Sequence, residues 1–112
     1  MGWLKVSRLG KRDALLVFSV GGGSRERNVS VNLVNAIERG RELGVSIYGV
    51  VGAPGGTLAE LADIAILIDI PADLRTPLVE SFQAVIRHAL VSHPELAARP
   101  AHWESLSAAE TR

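Results

Sequence analysis

Three short apolar runs, each ended by a turn rich in glycine or proline and followed by a helical stretch, constrain this chain most. The first, residues 14–20, reads Ala-Leu-Leu-Val-Phe-Ser-Val; the second covers 45–51 and the third 64–68. Both alternating faces of the first run are apolar. A strand open to water on one side alternates apolar with polar residues, whereas these runs predict strands covered by helices on both sides, as in a parallel sheet.

The stretches between the runs carry the helices. Val31, Val34 and Ile37 fall near helical spacing within 29–43, and Gly44 stops that segment. Thr57 is the expected N-cap of a short helix over 58–62. Pro77 suits the first turn of the longest helix, which runs to about residue 92 before Pro94 ends it. Residues 3–9 are expected to form one or two helical turns before Gly10. The order is therefore helix, β, α, β, α, β, α. Such alternation implies right-handed crossovers and an α/β fold of three αβα layers around a parallel sheet with three strands. Residues 1–94 read as the folded part and 95–112 as a tail, either weakly helical around Trp103 or mobile. The first run is too apolar for a comfortable sheet edge, so something is expected to pair with it or cover it.

Composition narrows the function. At 112 residues the chain fits one small domain. Twelve basic residues balance twelve acidic ones, which argues against a nucleic-acid footprint or an anionic-membrane surface. The longest apolar run is too short to cross a bilayer. With no cysteine, disulfides, thiolate zinc sites and cysteine nucleophiles are excluded together. The start, Met1-Gly2-Trp3-Leu4-Lys5, lacks the pattern of a signal peptide, so a cytoplasmic location is expected.

The chemistry concentrates after the first strand. In open parallel sheets ligands gather where loops leave the carboxyl ends of strands. Ser19, Gly21, Gly22, Gly23 and Ser24 lie at such an end, ahead of a helix. Glycines let backbone N–H groups approach an anion, and a helix N-terminus adds favourable electrostatics. Asn28, with Ser30, offers further hydrogen bonds, and Arg25 or Arg27 a cation. The loop is not a P-loop, since no Gly-Lys-Ser/Thr follows. Nor is it a dinucleotide fingerprint, since Glu26 stands where a third glycine belongs. A tight strand-to-helix turn that binds nothing explains the spacing equally well.

The segment Asp13-Ala-Leu-Leu-Val-Phe-Ser-Val-Gly-Gly-Gly-Ser24 resembles the serine-glycine segment of SIS (sugar isomerase) domains, above all that of phosphoheptose (sedoheptulose 7-phosphate) isomerases. The likeness continues through Asn32 to Ile37, Gly44 to Gly52, Gly55-Gly56, Ala62-Asp63 and Thr76 to Pro94. The fold this implies is the second half of a five-stranded SIS/flavodoxin-like domain, assembled as a homo-oligomer. The ligand implied is a sugar phosphate, its phosphate held at Ser19, Gly21, Gly22, Gly23, Ser24 and Asn28. Val20 and Gly21 replace hydroxyl residues of the family, so backbone contacts must do more.

The family's last helix carries a glutamine and, eight residues on, a histidine, both serving a metal-containing catalytic site. Glu80 and His88 match that spacing, with glutamate in place of glutamine. The resemblance thus gives Glu80 and His88 as catalytic residues and ligands of a divalent metal such as zinc. A one-residue slide would put Arg87 in the histidine position. By helical spacing Leu78, Phe82, Val85, Ile86 and Ala89 form the core stripe, and Glu80, Ala84 and His88 lie on another side. A solvated face with a single histidine is the alternative reading of that side. The family's first strands, its Gly-Asn-Gly-Gly-Ser loop and a helix with a catalytic glutamate and histidine have no counterpart here. The expectation is a phosphosugar isomerase half, incomplete as a catalyst alone and completed by a chain supplying the N-terminal half. A non-catalytic phosphosugar-binding or regulatory module is the alternative, and a nucleotide-binding fragment a more distant one.

Overall fold

Each apolar run becomes a strand, and the helices fall between them. The computed structural model describes residues 2–99, so the expectation for a helix around Trp103 lies outside the described residues. In chain order the elements are α1 (Gly2–Val6), β1 (Ala14–Ser19), α2 (Val31–Glu42), β2 (Ser46–Gly52), α3 (Gly56–Leu61), β3 (Ile64–Ile68) and α4 (Arg75–Ser92). No described helix is long and apolar enough to cross a membrane.

The strands form one parallel sheet in the order β1-β2-β3. Ala14 to Ser19 pair with Ser46 to Val51, and Tyr48 to Gly52 with Ile64 to Ile68. Because side chains alternate across a strand, this register sorts the apolar residues into two layers. On one face Ile47 and Val51 pack with Ile37 of α2 and Leu58 of α3, flanked by Leu15, Val17, Leu33 and Leu61. On the other, Val50 and Ile68 pack with Val79 of α4, flanked by Phe18, Val20, Ile70 and Ile86. Helices therefore cover both faces, as the apolar runs require, and the architecture is three-layer αβα.

Two local expectations change. Thr57 does not cap α3: the cap position is Gly55, in a left-handed conformation, and Thr57 lies within the first turn. The core stripe of α4 is also rotated. Val79 is its buried residue, with Gln83, Ile86 and Leu90 partly covered, while Leu78, Phe82 and Val85 are exposed. Positions 78, 82, 85 and 89 make an equally regular stripe, and periodicity alone does not say which of two neighbouring stripes meets the sheet.

Asp63 fixes the entry into β3. Its backbone N–H donates to the Ile47 carbonyl, and its carboxylate accepts from the Ile47 N–H at 2.7 Å and from Arg41 at 2.8 Å. These bonds favour the ionised form. The Ile47 N–H is the main cause, and together with Arg41 it holds the Asp63 carboxyl below its ordinary value.

Candidate functional site at the carboxyl ends of β1 and β2

Where β1 ends, the chain must turn sharply without blocking β2. Ser19 begins the turn: its Oγ accepts the Gly22 N–H at 2.9 Å. Gly22 and Gly23 then take φ of 75° and 77°, left-handed values that L side chains rarely adopt. Their carbonyls point at α3, where Gly22 O accepts from the Leu58 N–H and Gly23 O from the Thr57 N–H, both at 3.0 Å. A Cβ on Gly22 would stand 1.7 Å from the Gly55 carbonyl oxygen, and one on Gly56 would stand 2.4 Å from the Gly23 oxygen. The two glycine turns are thus interlocked, backbone against backbone.

This interlock sets what the loop can offer a ligand. The Thr57 and Leu58 amides in the first turn of α3 are used by the glycine carbonyls and do not face outward. The Gly22 N–H is taken by Ser19, and the Ser24 N–H donates to the Val29 carbonyl in an isolated antiparallel bridge. Across a trans peptide the N–H points opposite to the carbonyl. Since the Gly22 carbonyl faces α3, the Gly23 N–H faces away from it, and it has no acceptor among the described residues. The Ser19 hydroxyl, already an acceptor, keeps its own proton to donate. Gly21 is exposed, whereas Gly22 and Gly23 are buried. Glycine content therefore overstates the number of free donors.

Ser24 to Val29 form a small hairpin, with the Asn28 N–H returning to the Arg25 carbonyl at 3.1 Å. Asn28 is exposed at φ 53°, and the Ser24 Oγ accepts the Arg27 N–H at 3.2 Å. The hairpin does not carry α2 away from the glycines: a Cβ on Gly23 would lie 2.9 Å from Val34 Cγ2 and 3.5 Å from the Ser30 carbonyl oxygen. Arg25, the first expected cation, is engaged elsewhere. Its guanidinium donates to Asn35 at 2.7 Å and pairs with Glu38, both on α2.

The last helix reaches the same end of the sheet through a glutamine. Gln83 donates from Nε2 to the Ser19 carbonyl at 2.8 Å and to the Val50 carbonyl at 3.0 Å, tying β1, β2 and α4 together. Beside it lies a recess of about 300 Å³ lined by Phe18, Glu80, Gln83, Ala84 and Arg87. Glu80 thus faces a recess on the side of β1. His88, two turns further along α4, is exposed and is not among the residues that line the recess. No group of three or more His, Cys, Asp or Glu side chains able to hold a metal occurs among the described residues. Glu80 and His88 therefore do not make a metal centre by themselves, since zinc takes four ligands, at least three of them from protein in catalytic sites.

Sequence reasoning missed Gln83. It sits within the true core stripe, and an amide at position i+4 from Val79 was the one available signal that α4 meets backbone there.

The matching region is similar to several curated proteins. It is 42% identical over 81 residues to the lincomycin biosynthesis protein LmbN of Streptomyces lincolnensis, covering 70% of this chain and 30% of that protein. It is 35% identical over 78 residues to the phosphoheptose isomerase of Rhodospirillum rubrum, covering 70% of this chain and 37% of the relative. To the phosphoheptose isomerase of Nitratidesulfovibrio vulgaris it is 38% identical over 86 residues, covering 77% and 38%. The chain thus spans little more than a third of these relatives at most. No protein-family model matches the chain, and no solved structure does.

Proposed function

Because the chain belongs to the sugar-isomerase-type family that includes the phosphoheptose isomerases, we propose that it binds a sugar phosphate at the carboxyl ends of β1 and β2. The observation that carries this reading is the interlocked glycine turn, which leaves the Ser19 hydroxyl and the Gly23 N–H as donors beside the first turn of α2. Both suit a phosphate oxygen, with Ser24 and Asn28 on the adjoining hairpin as the outer wall.

The reaction class is aldose–ketose interconversion, in which a proton moves between adjacent carbons through an enediol. Glu80 is the one carboxylate on α4 and lines the recess beside Phe18 of β1, and His88 is the group whose type suits proton transfer near neutral pH. A divalent metal would polarise the sugar carbonyl. Glu80 and His88 are the donors this helix offers it, and further ligands must come from other residues. The chain therefore acts as part of a catalytic unit, with a second copy or a chain carrying the remaining strands beside β1. A non-catalytic sugar-phosphate-binding module is the second reading, favoured by the position of His88 outside the recess.

Calorimetric titration with sedoheptulose 7-phosphate and with unphosphorylated sedoheptulose tests the binding. The expected result is saturable binding of the phosphate ester alone; equal binding of both sugars, or of neither, overturns the proposal. Turnover with added zinc that disappears in His88→Ala would select the isomerase over the binding module.

A further inference from the structure

Of the two cations on the turn, Arg25 is neutralised on α2 and Arg27 is exposed on the hairpin. A different arginine stands at the same end of the sheet. Arg75 is the first residue of α4, and its Cδ lies 3.5 Å from the point where a Cβ on Gly52 would stand. The Val20 carbonyl oxygen lies 2.6 Å from that same point. The Arg75 side chain thus crosses the last residue of β2 beside the residue that leads into Gly21.

Its guanidinium has no partner among the described residues. The Nε atom is buried and has no hydrogen-bond partner. The ion pairs among the described residues are Arg25–Glu38, Arg39–Glu42 and Arg41–Asp63, so Asp69 and Asp73, close to Arg75 in the chain, leave it unpaired. A buried donor of a charged group without an acceptor is costly, and native proteins seldom leave one unless something completes it. Arginine presents planar paired donors that match a phosphate. The first turn of a long helix adds favourable potential for an anion, and α4 has no acidic residue there.

We propose that Arg75 is the phosphate-gripping cation of this site, a specificity residue that selects phosphorylated over neutral sugars. The inference rests on the sugar-phosphate reading and extends it to a residue outside the glycine-serine turn. In it the phosphate lies between the Arg75 guanidinium and the Ser19–Gly23 donors, over the ends of β1 and β2.

The test is titration of the wild-type chain, Arg75→Gln and Arg75→Lys with sedoheptulose 7-phosphate, with apo melting curves run alongside. Arg75→Gln should bind roughly 10- to 100-fold more weakly, as expected for losing a charge-assisted contact. Arg75→Lys, which keeps charge but loses Nε, should fall between. Because Gln removes an unsatisfied charged donor, apo melting should not drop. If Arg75→Gln does not fold, Arg75→Lys carries the comparison, with weakening of several-fold expected. Unchanged affinity in a folded variant overturns the role of Arg75 and leaves the sugar-phosphate site standing. Failure of the wild type to bind overturns the site and this assignment together. Binding that weakens only in proportion to lost folded protein also overturns it.

Discussion

The two faces of the sheet are built from the same three strands, yet they are closed to different degrees. Under α2 and α3, Ile37, Ile47, Val51 and Leu58 are all completely buried. Under α4, Val50 and Val79 are buried, but Tyr48 is 39%, Leu16 52% and Ile64 63% exposed. These residues line an apolar hollow with Leu90 and Leu96 at the amino ends of the strands. Two helices close the first face, whereas one helix crosses the second and leaves a corner bare. The first face is closed along its length; the second is closed toward the carboxyl ends of the strands, where Val79, Ile86 and Gln83 of α4 meet the sheet.

The largest expected effect sits where the closed side meets the site. Gly22→Ala places a methyl group on the Gly55 carbonyl and forces alanine into a left-handed backbone. A loss of about 4 kcal/mol or outright misfolding is expected, read by urea denaturation. A near-neutral result would mean that the two turns do not interlock in solution.

Next comes a pair that compares the faces directly. Ile47→Ala should cost about 3 kcal/mol, the usual range for a fully buried isoleucine. Ile64→Ala, mostly exposed, should cost less than about 1 kcal/mol. Equal losses would show that the open corner is covered in solution, and sedimentation of the wild type would then reveal the covering chain.

The smallest effect concerns Asp63, which clamps the amino end of β2 beneath both faces. Its carboxyl is held below its ordinary value in the folded state, chiefly by the Ile47 N–H. Its stabilisation is therefore present above the ordinary carboxylate range and is lost as pH falls through the depressed folded value. Asp63→Asn, which lacks the ionised form at every pH, should lower neutral-pH stability by a small amount and flatten the acid side of the stability–pH profile by a similar amount. An unchanged acid limb would remove the clamp from the account.

The strands were legible because a run apolar on both faces has few alternatives. Residues 64–68 match β3, while β2 lies one residue later than its apolar run. Helix α4 was legible in extent, but its inward face was not. Leu78, Phe82 and Val85 are better hydrophobes than Gln83, yet Gln83 faces the sheet because two strand carbonyls need its amide. The same holds for the site. Ser19 and the glycines could be found from their place after a strand. Which N–H groups remain free depends on the docking of α3, a contact between segments far apart in sequence. Arg75 was invisible for that reason too, since only the packed structure sets it over Gly52.

The lock between Gly22–Gly23 and Thr57–Leu58 makes α3 a remote gauge of what happens at Ser19. A guest that steadies the first turn must also steady these two amides, although they never touch it, so their proton exchange with solvent should slow as the site fills. Occupancy could then be followed from the far side of the sheet's rim, with no label placed near the guest.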